Sequence, residues 1–332
     1  MKTVSLLAVF FLFLAPVALA EWNPTMVLTN TGQTASNSTT VNWYDSSGVN
    51  TFTYQVPSLP PSGSLVIDNA GFDLPSGDNY SAVVNSDQPL VSVIGNNYND
   101  TTVNGAGGWS DPAAKVYFPV VNTCPSSDWN NHIAVQNTSD QTNQVTCGYY
   151  NSDGSQVSSS STSLPPQGRY EFAVYNYDIP GDFTGSAVVT AEQPVAASMM
   201  GSCGDNTWAY EGVVPPGSGD TTVYLPSAYG SGYGDWTTWV GVQNCGSDTA
   251  TVFINYYCPY GSLYNGGTVT IPPYGNYQWN MSTVPGLPAG YSYSAVFQSN
   301  QPIAVAEVNR NSNGRINAYQ GWTSGGNTGW HP

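Results

Sequence analysis

Positive charge is almost missing from this sequence: 332 residues hold 5 Lys and Arg against 21 Asp and Glu, a formal net charge of −16. Polyphosphate partners are bound by clusters of Lys and Arg that release counterions, so nucleic acid and anionic lipid surfaces are not expected partners. Histidine is scarcer still. His132 and His331 lie far apart in the chain, which leaves no Ser-His-Asp set, no H-E-x-x-H and no zinc cluster. A D-x-D-x-D-G calcium loop is also absent. No cofactor, metal or catalytic residue is therefore expected, and the chain reads as non-catalytic.

Long apolar runs are confined to one place. Lys2 precedes the apolar stretch Val4 to Val17, and Ala18 and Ala20 flank Leu19. This is the pattern of a secretory signal peptide over residues 1–20, cut after Ala20. No later segment reaches the ~18 apolar residues of a membrane span, so the expected product is secreted, at the cell surface or in the extracellular matrix. Helical periodicity is missing as well. The rest of the surface is Ser, Thr, Asn, Gln, Gly and Tyr, whose solvation depends little on ionisation and suits an acidic exterior.

What the sequence has is repetition. Trp22, Trp129 and Trp236 stand 107 residues apart, each opening a strand that ends in Asn-Thr or Asn-Cys. Pro60-Pro61, Pro165-Pro166 and Pro272-Pro273 follow, each two residues before Gly63, Gly168 or Gly275. Each repeat closes with the same hairpin, S-A-V-V-N-S-D-Q-P-L, S-A-V-V-T-A-E-Q-P-V and S-A-V-F-Q-S-N-Q-P-I. Short alternating stretches rich in Val, Thr and aromatics lie between these marks and read as strands, with proline at strand starts and turns. The expected fold is all-β: three tandem antiparallel β-sandwich (immunoglobulin-like) domains over 21–111, 112–219 and 220–332.

The first repeat differs from the others. Val116–Val121 and Val223–Ala228 form an opening strand that starts thirteen residues before the marker Trp. The same distance before Trp22 falls inside the signal segment, so a processed first domain is expected to lack its opening strand. Such an edge offers unpaired backbone to another chain, either for self-association or for a second surface protein, unless the strand is a dispensable edge.

Five cysteines in an exported chain read as disulfides first. In an immunoglobulin-like topology the strands leading to Cys124 and Cys203 finish at one end, which makes these two the candidate bridge. Cys245 and Cys258 sit at opposite ends of one strand, beyond disulfide reach. Cys245 lies at a turn facing the preceding domain, and Cys147 alternates inward as a buried thiol.

Loop aromatics and carboxylates are the remaining chemical resources. Tyr260, Tyr264 and Tyr274 are candidates for stacking on sugar rings, so a polysaccharide is an alternative partner. Asp73 with Asp78, and Asp178 with Asp182, are the nearest carboxylate pairs for a glycoside hydrolase, although they flank turns and the third repeat has no counterpart. Sequons mark Asn37, Asn79, Asn99, Asn137 and Asn280 as glycosylation candidates.

The stretch G-D-F-T-G-S-A-V-V-T-A-E-Q-P-V-A-A, from Gly181 to Ala197, resembles the closing hairpin of β-sandwich repeats in secreted and cell-surface proteins of bacteria and archaea. The resemblance covers all three repeats. It implies an envelope or extracellular location and a structural or adhesive role, as in a fibre or surface layer, and brings no catalytic residues.

Overall fold

A computed structural model describes residues 10–12, 22–68, 79–98, 102–109, 111–123, 129–174, 179, 181–203, 206–215 and 222–323. Within them the chain is all-β, built from antiparallel sheets. The first repeat contributes β1 (Phe10–Leu12), β2 (Trp22–Asn30), β3 (Thr39–Tyr44), β4 (Asn50–Val56), β5 (Ser64–Ile67), β6 (Tyr80–Asn85), β7 (Leu90–Tyr98) and β8 (Thr102–Gly107). One of its sheets runs β1-β6-β3-β4 and the other β5-β2-β7-β8.

The second repeat contributes β9 (Ala113–Asn122), β10 (Trp129–Asn137), β11 (Asn143–Tyr150), β12 (Gln156–Leu164), β13 (Arg169–Ala173), β14 (Thr184–Cys203) and β15 (Asn206–Glu211). The early part of β14 pairs with β9 and β11, and the late part with β10 and β15, the change falling around Gln193-Pro194. The third repeat contributes β16 (Thr222–Tyr229), β17 (Trp236–Asn244), β18 (Ala250–Tyr257), β19 (Leu263–Ile271), β20 (Asn276–Asn280), β21 (Ser292–Ser299), β22 (Ile303–Asn311), β23 (Ile316–Gln320) and β24 (Trp322–Thr323). Its sheets run β19-β18-β21-β16-β24 and β20-β17-β22-β23.

Alternation explains which faces are buried. Along β3, Val41 and Trp43 are fully buried while Asn42 and Tyr44 are only partly so; Tyr149 and Tyr256 take the place of Trp43 in the later repeats and are equally buried. Removing any of these three rings would cost about 3–5 kcal/mol. Buried residues from both sheets of the first repeat, including Met26, Val41, Trp43, Val84 and Ile94, form one cluster, and the third repeat repeats the pattern.

Two local devices recur in every repeat. The residue after each proline pair is left-handed, Ser62 at φ 59°, Gln167 at 59° and Tyr274 at 62°. Asn30, Asn137 and Asn244 end the marker strands and are fully buried. Each amide donates to the carbonyl four residues on, and again to the carbonyl of Leu59, Leu164 or Ile271. Together these satisfy the backbone where one sheet hands the chain to the other.

In the unprocessed chain the opening-strand seat of the first repeat is occupied. Phe10 to Leu12 pairs antiparallel with β6, Phe10 opposite Ala82, as Phe118 lies opposite Ala187 and Leu225 opposite Ala295. The vacancy inferred from sequence thus applies only to a chain from which this segment has been removed.

The repeats are joined by the same contact used twice. The hairpin of the first repeat brings Gly48 against Pro166 O, and Arg169 N donates to Ser46 O at 3.2 Å. The hairpin of the second repeat brings Gly154 against Pro273 O. Around that second joint Tyr150 stacks on Tyr274 with ring centroids 5.2 Å apart, and Gln278 Nε2 donates to Gly185 O at 2.7 Å. Tyr117 Oη donates to the carbonyl of Cys245 at 3.2 Å. Both hairpin glycines have φ of 81°, which frees the backbone to approach a neighbour where a side chain would collide.

Candidate functional site

Strands β8, β15 and β23, each following the closing hairpin of its repeat, meet at one place. Gly107, Glu211 and Gln320 hold equivalent positions there, paired in turn with Val93, Ser198 and Ala306. Glu211 is buried, and its carboxyl accepts from the Gly107 N–H and, at Oε2, from Gln320 Nε2 at 2.8 Å. One side chain therefore ties all three repeats. A Cβ on Gly107 would stand 2.1 Å from Glu211 Oε1, so a side chain there would displace the carboxyl from this contact.

Beside this contact lies a cavity of about 500 Å³, lined among others by Gly105, Trp208, Glu211, Glu307, Tyr319 and Trp322. Glu307 occupies the strand position held by Ile94 and Met199 in the other repeats and is 1 % exposed. Its Oε1 accepts from Asn309 Nδ2 at 2.9 Å. Asn309 Oδ1 accepts from the Thr238 hydroxyl, which accepts from Tyr229 N at 2.7 Å. Glu307 Oε2 has no hydrogen-bond partner among the described residues. Burial pushes the Glu307 carboxyl up to about 8 and the Glu211 carboxyl up to about 7, against hydrogen bonds that pull each the other way. No group of three or more His, Cys, Asp or Glu gathers to hold a metal among the described residues.

The residues singled out from sequence are scattered. Tyr260 is 82 % exposed at the tip of the third hairpin, edge-on to Tyr291 at 6.2 Å. Tyr264 is partly buried and edge-on to Tyr293. Tyr274 is corrected as a sugar platform, because its ring is already stacked on Tyr150 and faces Lys115 Nζ, 5.2 Å from the centroid. Asn137 is corrected as a glycan acceptor: it is fully buried with its amide donating to the carbonyls of Gln141, Leu164 and Pro165. Asn37 is exposed, Asn79 is partly buried, and Asn280 caps the short 3-10 helix Met281–Thr283.

Asn99, Asp73, Asp78, Asp178, His331 and Cys124 lie outside the described residues, as does the Cys203 side chain. Cys203 faces Trp129 across the sheet, and the Asn131 amide donates to Asn122 O, so the backbone leading to both cysteines ends on one side of the repeat. Cys147, Cys245 and Cys258 are free thiols, and burial pushes Cys147 up to about 12. His132 pairs with Glu171, whose other oxygen stands 3.7 Å from Arg169 Nη2.

Glu211 and Glu307 escaped the sequence reading. The signal was present, since Glu307 interrupts a position that is Ile and Met in its sister repeats.

No known protein family matches the sequence. No curated protein is significantly similar to it. Among solved structures, Thermotoga maritima 1070 is similar over 33% of this chain and 98% of its own, with 19% identity and a TM-score of 0.28. The Anabaena sensory rhodopsin transducer is similar over 28% of this chain and 97% of its own, with 23% identity and a TM-score of 0.24. An allantoicase is similar over 70% of this chain and 77% of its own, with 11% identity and a TM-score of 0.15.

Proposed function

We propose that this chain is a secreted, non-catalytic structural or adhesive protein of a cell surface or extracellular matrix, built from three immunoglobulin-like β-sandwiches. The observation that carries the reading is the double use of one joint, Gly48 on Pro166 and Gly154 on Pro273, with Glu211 bridging all three repeats. Such joints make a stiff element, which is what a fibre, lattice or stalk requires of its units. The exterior supports the same reading, being polar with few charges, and so keeping its solvation in changing or acidic surroundings. Electron microscopy of native cell surfaces and culture medium with a labelled antibody tests it. Label on a surface structure or extracellular fibre is expected; label confined to the cell interior would contradict it.

Carbohydrate binding is a second reading, favoured by the exposed ring of Tyr260 beside Tyr291. An exposed aromatic face gains from stacking on a sugar ring. Retention on insoluble polysaccharide that is lost in Tyr260→Ala would support it, and absence of retention on every polysaccharide tried would remove it.

A further inference from the structure

The third-repeat wall of the cavity differs from the same place in the second repeat. Cross-strand register aligns Glu307, Asn317 and Tyr319 with Met199, Trp208 and Tyr210: Glu307 faces Tyr319 and Asn309 faces Asn317, as Met199 faces Tyr210 and Gly201 faces Trp208. In the second repeat these three side chains are buried in the apolar core, and the Tyr210 hydroxyl donates to Val120 O at 3.0 Å. In the third an acid and an amide stand in place of Met and Trp, and the tyrosine is 45 % exposed. The cavity of about 500 Å³ lies against all three, with its mouth on the side of Tyr319.

The polar groups on this wall are short of donors. Glu307 and Asn317 are diagonal neighbours on one face of the β22–β23 pair, close enough for one small ligand to touch both. Glu307 Oε2 and Asn317 Oδ1 are both buried and have no hydrogen-bond partner among the described residues. A buried oxygen without a donor is costly, and a ligand that brings one recovers the cost. Much of the remaining wall is aromatic, including Tyr229 and Tyr319, and Tyr319 interacts electrostatically with both Tyr229 and Glu307. Among the described residues lining the cavity the charged types are Glu211 and Glu307, with no Lys, Arg or His to oppose them. Acceptors, aromatic faces and unopposed acids together complement a cation that carries N–H donors.

We infer that this cavity binds a small organic amine, its ammonium group donating to Glu307 Oε2 and Asn317 Oδ1 and its carbon part lying against the rings of Tyr229 and Tyr319. The inference stands apart from the structural reading of the chain, since it concerns a ligand and not a location.

Isothermal titration calorimetry at pH 9 tests it, with 2-phenylethylamine as the probe and 2-phenylethanol as its uncharged match. Burial pushes the Glu307 carboxyl up to about 8, so at this pH it is ionised, while an amine with a pKa of roughly 10 keeps its proton. The wild type is compared with Glu307→Gln, which keeps the shape without the charge, and with Glu307→Met, which carries the residue of the second repeat. A cooperative melt at pH 9 shows each variant to be folded, and the comparison of amine with alcohol needs no variant. The wild type is expected to bind the amine at least ten times more tightly than the alcohol, and each folded variant to bind the amine at least ten times more weakly than the wild type. A wild type that does not bind the amine, an alcohol bound as well as the amine, or a folded variant that binds the amine as the wild type does would each overturn the inference.

Discussion

The side-chain amide of Gln320 donates to Glu211 Oε2 at 2.8 Å across 109 positions of sequence, and the two residues hold the same place in successive repeats. Gly107, the third member of the set, donates its N–H to the same carboxyl. Gly107→Ala should force a collision with Glu211 Oε1 and cost about 1–3 kcal/mol. Gln320→Ala should leave a buried oxygen short of a donor, at a similar cost. Urea unfolding measures both; two variants as stable as wild type would show that the bridge contributes nothing.

Stability should fall as pH rises. Burial lifts Glu211 and Glu307 from 4.5 to about 7 and about 8. Below about 4.5 both groups are protonated folded or unfolded, so no cost arises. Between there and about 8 the unfolded chain gives up protons that the folded chain keeps, and stability drops by up to about 1.4 kcal/mol per pH unit per group. Asp87 and Asp153 are shifted downward chiefly by the hydroxyls of Ser36 and Ser155, which favours the folded state above the ordinary aspartate range. Both are open to solvent, so they weigh little. Melting temperatures across this range should decline from acid to alkali, with the upper part of the decline absent in Glu307→Gln. A Glu307→Gln profile parallel to wild type would contradict the assignment.

Gly154 and Gly261 offer a matched comparison, with φ of 81° and 78° at equivalent hairpin positions. Alanine at either bears the left-handed cost of roughly 1–2 kcal/mol. At Gly154 its Cβ would also stand 2.3 Å from Pro273 O and push the second joint apart, whereas at Gly261 it meets nothing. Gly154→Ala should therefore be the more destabilising, measured by chemical unfolding of the two variants side by side. Equal losses would mean that the joint adds no stability.

Much of this was legible because it is local. Marker Trp residues, proline pairs, hairpin glycines and the Gln-Pro turn specify strands and their ends through backbone chemistry that acts within a few residues. The joints were hidden because their meaning lies in the partner: nothing local to Tyr274 says that its ring faces Tyr150. Asn137 looked like a sequon by its own triplet, yet its equal spacing with Asn30 and Asn244 was the sign of a structural amide. Glu307 went unread because its place in the repeat, not its own residue type, marks it as buried.

Expression in a host that glycosylates exported proteins should leave Asn137 bare, since its amide is consumed by three carbonyls inside the fold. Asn37, exposed beside its turn, is the described sequon best placed to carry a glycan. Peptide mass mapping of the purified product distinguishes them. A glycan on Asn137 of folded protein would contradict its placement.

Small-angle X-ray scattering of the monomer in acid, where Glu211 keeps its proton, bears most directly on the claim that the repeats are locked together. One rigid particle with the dimensions of the structure should fit the whole profile, and Gly154→Ala should loosen it. A wild-type profile that only a flexible string of independent beads can fit would contradict the account.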